Sequence, residues 1–131
     1  MSKHILFVED EELFSGLLME YLQKAGFKVT LAKDGIEALQ RLKDIVPDLV
    51  LLDLFLPYLN GFEVLHHVRS NPATAFVPVI ILSNLSGEEN VKKGLALGAS
   101  EYLLKVSLTP HQIVDKVKEN INKPIPDTSK K

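Results

Sequence analysis

The 131-residue sequence contains no cysteine, which excludes disulfides, thiolate metal sites and cysteine nucleophiles and permits a reducing compartment. No apolar run approaches the length of a membrane span, and the N-terminal "ILFV" is too short for the core of a signal peptide. An excess of one charge is also missing. Fifteen Lys and Arg stand against 17 Asp and Glu, a formal net charge of -2, so no basic face is available for the phosphates of nucleic acid. Repeats, linkers and low-complexity tracts are absent before residue 122. Together with 46% hydrophobic content, these absences predict one cytoplasmic domain with a single core, expected over residues 1–122. The remaining "KPIPDTSKK", residues 123–131, has almost nothing to bury and is expected to be disordered.

What the sequence does contain is an alternation. Short apolar runs, "HILFV", "KVTLA", "LVLLDL", "VPVIILS" and "EYLLK", have the length and branching of strands buried in a parallel sheet. Longer amphipathic segments separate them. Leu13, Leu17, Leu18, Tyr21 and Leu22 share one helical face, as do Ile36, Leu39, Leu42 and Val46, and later Ile113, Val117 and Ile121. Asp34, Asn60, Ser86 and Thr109 are N-cap residue types, each followed three positions later by Glu or Gln. Pro110 suits a first helical turn, and Gly26 and Gly98 suit left-handed helix ends. Five βα units of this kind predict an α/β fold, a doubly wound five-stranded parallel sheet with five helices.

Within "LVLLDLFLP" the lone charged residue, Asp53, sits among apolar side chains. An ionised carboxylate there is too costly to bury unpartnered, so it must be paired, protonated or at an opening. Open α/β sheets bind ligands beyond the carboxyl ends of their strands. Asp53 lies near such an end, and the other strand ends carry Glu9 and Asp10, Ser83, and Lys105. Three carboxylates brought together repel unless a cation neutralises them. An all-oxygen set with few protein donors suits Mg2+. Lys105 and Ser83 add a positive charge and a hydroxyl, the groups needed around a transferring phosphoryl group, with Asp53 as its nucleophile.

These residues fall in motifs that resemble the receiver domain of two-component response regulators, across residues 3–122: "ED" after the first strand, "LLDLFLPYLNGFEVL" around the third, "IILS" closing the fourth and "GASEYLLK" through the fifth. The resemblance implies a flavodoxin-like strand order of 2-1-3-4-5, an order the chemotaxis members of the family share. It also implies that Asp53 accepts a phosphoryl group from a histidine kinase or histidine phosphotransfer protein. Glu9, Asp10, Asp53 and the backbone carbonyl of Phe55 would hold Mg2+. Ser83 and Lys105 would contact the phosphoryl oxygens, and Ser83 and Tyr102 would act as the switch. A downstream protein would read the face of the fourth helix, fifth strand and fifth helix. Such a domain is a signalling module that catalyses its own phosphorylation and slow dephosphorylation, with no direct nucleic-acid or membrane partner. A stand-alone switch is expected, with the excised N-terminal receiver of a longer regulator as the alternative.

Departures from the family pattern set further expectations. Val106 follows Lys105 where proline is usual, so the bond is expected to be trans and the loop at 105–108 rearranged. Asn84 is bulkier than is common at its position, and Phe55 and Leu85 put apolar groups beside the pocket, where they would hinder an attacking water. Three rivals remain in view. A flavin carrier would need a Ser, Thr and Gly-rich loop where "EDEE" stands, and a dehalogenase-type phosphatase would need an acid at Phe55. A pseudo-receiver, binding partners without phosphorylation, is the strongest of them. His4, His66, His67 and His111 lack ligand spacing and read as surface residues, and Lys92 and Lys93 as a solvated helix face.

Overall fold

The computed structural model describes residues 2–85 and 87–123. Ser86 and the tail from 124 onward, with the expectations attached to them, lie outside the described residues. The chain runs β1 (His4–Val8), α1 (Glu12–Lys24), β2 (Lys28–Ala32), α2 (Gly35–Asp44), β3 (Leu49–Leu52), α3 (Gly61–Ser70), β4 (Val79–Ser83), α4 (Glu88–Ala96), β5 (Glu101–Leu104) and α5 (Pro110–Asn120), with a 3-10 turn at Lys105–Ser107. All strand pairs are parallel, in the order β2-β1-β3-β4-β5. The strand alternation, sheet and five helices are those expected.

Why the strands lack a polar face is visible in the two apolar layers. Ile5, Phe7, Leu49, Leu51, Ile80 and Leu82 point to one side, where Leu18 and Leu22 of α1 and Ile113 and Val117 of α5 cover them. Leu6, Val8, Val50, Leu52, Val79 and Ile81 point to the other, against Val64, Leu65 and Val68 of α3 and Ala38 of α2. A period of two, buried on both faces, reads as an uninterrupted apolar run.

Helix starts follow their caps. Asp34 accepts from the Glu37 N–H at 2.7 Å, and Asn60 and Thr109 form reciprocal capping boxes with Glu63 and Gln112. Gly26 and Gly98 take φ of 97° and 104° after α1 and α4. For α4 the N-cap is Gly87, with no side-chain bond.

Helix faces correct the expectation in two places. Leu13 and Leu17 are 89% and 46% exposed rather than buried, and the core-facing stripe of α1 is Phe14, Leu18, Tyr21 and Leu22. On α2, Ile36 is exposed while Ala38 is buried, and Val46, expected on the same face, lies exposed beyond the helix, which ends at Asp44. Both segments hold more apolar residues than one 100° stripe accommodates, and contact with the sheet selects among them. His4 also departs from a surface role: its ring is hydrogen-bonded to Thr30 Oγ1 at 2.6 Å, and it is half-buried at the start of β1.

Candidate functional site

Strand register brings the site together. Val8 lies beside Leu52 in β1 and β3, so Glu9 and Asp10 emerge next to Asp53 at the carboxyl edge of the sheet. Backbone bonds fix the exits, Glu9 N–H to the Ala32 carbonyl at 2.9 Å and Asp53 N–H to the Val8 carbonyl at 3.0 Å. Ser83 closes β4, beside Leu104 of β5, and Lys105 follows at the start of the 3-10 turn. A close approach of backbones holds the acceptor loop. Gly61 N–H donates to the Leu54 carbonyl at 3.0 Å, and a Cβ at Gly61 would collide with the Asp53 carbonyl and the Leu54 Cα.

Asp53 is 4% exposed and Glu9 1%. Their compensation is Lys105, whose side chain is only 8% exposed and whose Nζ lies 2.6 Å from Glu9 Oε1 and 3.2 Å from Asp53 Oδ2. The second oxygen of Asp53 accepts from the Phe55 N–H at 3.3 Å, and Glu9 Oε2 accepts from the Glu11 N–H at 3.1 Å. Asp10, by contrast, is exposed. One carboxylate oxygen from each of Glu9, Asp10 and Asp53 lies within 4.8 Å of the others.

Three negative charges against one ammonium leave the edge electrostatically unbalanced. Burial, reinforced by the Asp53 charge, raises the Glu9 carboxyl from 4.5 to about 7 despite its ion pair with Lys105. Burial works to lower the Lys105 ammonium, but Glu9 and Asp53 outweigh it and the net shift is upward. Such a donor set, all carboxylate oxygen and short of positive charge, fits a hard divalent cation such as Mg2+.

On the β4 side, two hydroxyls meet the backbone of one residue. Ser83 Oγ accepts from the Leu85 N–H at 3.0 Å, and the Tyr102 hydroxyl donates to the Leu85 carbonyl at 2.6 Å. Burial raises the Tyr102 phenol, a hydrogen bond with Ser83 works against this, and the Asp53 charge adds to it. Asn84 is exposed, as are Phe55 and Val106, whereas Leu85 is half-buried. No cis peptide occurs among the described residues, and Lys105–Ser107 forms a single 3-10 turn that ends with Leu108 N–H on the Lys105 carbonyl.

A family model described as "Response regulator receiver domain" matches residues 5–118. The chain belongs to the response regulator receiver family. The phosphate regulon transcriptional regulatory protein PhoB of Rhizobium meliloti is 37% identical over 127 residues, covering 97% of this chain and 56% of that protein. The chain spans about half or less of the length of the curated relatives it matches first. Among solved structures, the Vibrio cholerae chemotaxis response regulator CheY4 superposes with a TM-score of 0.85 at 28% identity, covering 91% of this chain and 98% of that one. The receiver domain of the Pseudomonas aeruginosa sensor histidine kinase PA1611, solved with a magnesium ion coordinated in its active-site cleft, gives 0.84 at 26%, covering 94% and 100%. The chain is therefore a two-component signalling domain. Among its described residues, no helix is long and apolar enough to cross a membrane.

Three features of this receiver escaped the motif reading. Phe14 places its ring 4.8 Å from the Lys105 ammonium, measured to the centroid. Tyr58, in the loop after Asp53, adopts φ 69° with its side chain exposed. Arg69 is half-buried and donates to the carbonyls of Gly98, Thr74, Ala75 and Val77, tying the end of α3 to the loops before β4 and β5. An aromatic or arginine on an amphipathic helix gives no sequence signal of its partner, and nothing beside Tyr58 in the sequence announces its left-handed backbone.

Proposed function

We propose that Asp53 of this receiver accepts a phosphoryl group from a phosphohistidine on a histidine kinase or histidine phosphotransfer protein. The observation that carries this reading is the buried Asp53 carboxylate at the sheet's carboxyl edge, held at 3.2 Å by Lys105 and within 4.8 Å of two further carboxylates. An Asp53 oxygen forms a bond to phosphorus as the phosphorus–nitrogen bond of the donor breaks, and the leaving imidazole keeps the electron pair and takes a proton. Glu9, Asp10, Asp53 and the Phe55 carbonyl would hold Mg2+, which supplies positive charge to the phosphoryl oxygens. Lys105 neutralises a further oxygen, and the Ser83 hydroxyl donates to another.

The output follows from the same bonds. Ser83 Oγ and the Tyr102 hydroxyl hold the N–H and the carbonyl of Leu85, on the two peptide groups that flank its Cα, so a Ser83 drawn to a phosphoryl oxygen releases the Leu85 N–H and moves the acceptor of Tyr102. Tyr102 lies in β5 and packs toward Gly94 of α4, so its motion alters the α4-β5-α5 face presented to a downstream protein in the cytoplasm. Exposed Phe55 and half-buried Leu85 crowd the approach of water and prolong the acyl phosphate.

Intact mass after incubation with Mg2+ and a small acyl phosphate tests the acceptor. One added phosphoryl group is expected on the wild type, with none on Asp53→Ala and none in excess EDTA. No adduct from either a small donor or a phosphohistidine protein would favour a binding module that works without phosphorylation.

A further inference from the structure

Resting on the reading of Asp53 as acceptor, we infer that Phe14 is a positioning residue that holds the Lys105 ammonium against the Asp53 carboxylate through its ring face. Lys105 carries its ammonium on a flexible four-carbon stem. It opens a short 3-10 turn, the next residue is Val106 rather than a ring-locked proline, and the Val106 side chain is 80% exposed. Its ammonium pairs with both carboxylates, Glu9 at 2.6 Å and Asp53 at 3.2 Å. A third attraction comes from α1, where the Phe14 centroid lies 4.8 Å from Nζ.

The ring is held in turn. Phe14 meets the fully buried Phe7 of β1 edge-on, with centroids 6.4 Å apart at 73°, so its orientation is anchored to the strand that Glu9 and Asp10 directly follow. Desolvation decides how much the contact is worth. The chain contains a second ammonium over a ring, Lys93 above Phe62 at 4.5 Å, but Lys93 is exposed and water competes there. Lys105, nearly dry, falls in the strong regime of cation–π attraction.

Two variants separate positioning from core filling. Phe14→Leu keeps apolar volume and removes the ring face, whereas Phe14→Tyr keeps both. With Mg2+ and a small acyl phosphate, the rate of Asp53 phosphorylation should fall about tenfold in Phe14→Leu and stay within about twofold of wild type in Phe14→Tyr. By NMR, the Lys105 ε-methylene protons should be shifted upfield by the ring in wild type and Phe14→Tyr, and should return to the usual lysine position in Phe14→Leu. A Phe14→Leu protein phosphorylated at the wild-type rate, a Phe14→Tyr protein as slow as Phe14→Leu, or unshifted ε-methylene protons in wild type would each overturn the inference. Should wild type take no phosphoryl group at all, the reading of Asp53 fails, while the ε-methylene protons still decide the placement of Lys105 over Phe14.

Discussion

The two edges of one sheet treat their polar residues in opposite ways. At the amino edge, the His4 N–H donates to Asp48 Oδ2 at 2.7 Å, the Asp48 N–H donates to the His4 carbonyl at 2.7 Å, and the His4 ring closes on Thr30. These three residues answer one another within the chain. At the carboxyl edge, three carboxylates gather within 4.8 Å, and one ammonium pairs with two of them, Glu9 and Asp53. The same strands, paired in the same register, support a closed end and an open one. Function lies at the end whose charges are left unbalanced.

Removing the single cation should break the contrast most severely. Lys105→Met leaves Glu9 and Asp53 buried without a counter-charge and should cost about 3 kcal/mol in urea unfolding. Asp48→Ala at the closed edge should cost about 1 kcal/mol. Equal losses would remove the distinction between the edges. Adding a cation should act in reverse. Mg2+ at a hundredfold excess over its Kd should stabilise wild type by about 2.7 kcal/mol, read as a rise in Tm that vanishes in Asp10→Ala and persists in Asp48→Ala.

Protons sharpen the comparison further. Because the folded-state carboxyl of Glu9 lies at about 7, above its ordinary 4.5, the folded protein binds this proton more tightly than the unfolded chain. Its stabilising contribution is complete below pH 4.5 and is lost as pH rises through about 7. In EDTA, wild type should therefore lose stability relative to Glu9→Gln between pH 5 and pH 8. Mg2+ competes with that proton, so its affinity should climb over the same range, and a pH-independent affinity would show that Glu9 is not a ligand.

Tyr58 gives the smallest expected effect. Its φ of 69° is costly for a residue with a Cβ, so Tyr58→Gly should raise stability by about 0.5 kcal/mol once the added freedom of the unfolded chain is subtracted. A loss on substitution would mean that the exposed ring makes contacts that outweigh the strain.

The legible parts of this chain were those set by local chemistry. Strand runs, the capping residues Asp34, Asn60 and Thr109, and the position of Asp53 beyond an apolar run all follow from short-range rules. Faces chosen by tertiary contact were harder. Leu13 and Leu17 share the hydropathy of Leu18, and only packing against β1 and α5 decides that Phe14 and Leu18 turn inward. Polar partners distant in sequence were not legible. Nothing near His4 announces Thr30 or Asp48, nothing near Arg69 announces the Gly98 carbonyl, and Lys105 reaches Phe14 across 91 positions of chain only through the fold. Within the candidate site, Glu9, Asp10, Ser83 and Lys105 each stand at a strand end, which is why one topological rule collects them around Asp53.

The most direct measurement is chemical localisation of the acyl phosphate. After incubation with Mg2+ and a small acyl phosphate, borohydride reduces an aspartyl phosphate to homoserine, and peptide mass spectrometry then places the change. Conversion at position 53 alone is the predicted result. Conversion at Asp10 or Glu9, or a phosphoryl group retained on a hydroxyl of Ser83 or Tyr102, would contradict Asp53 as the acceptor.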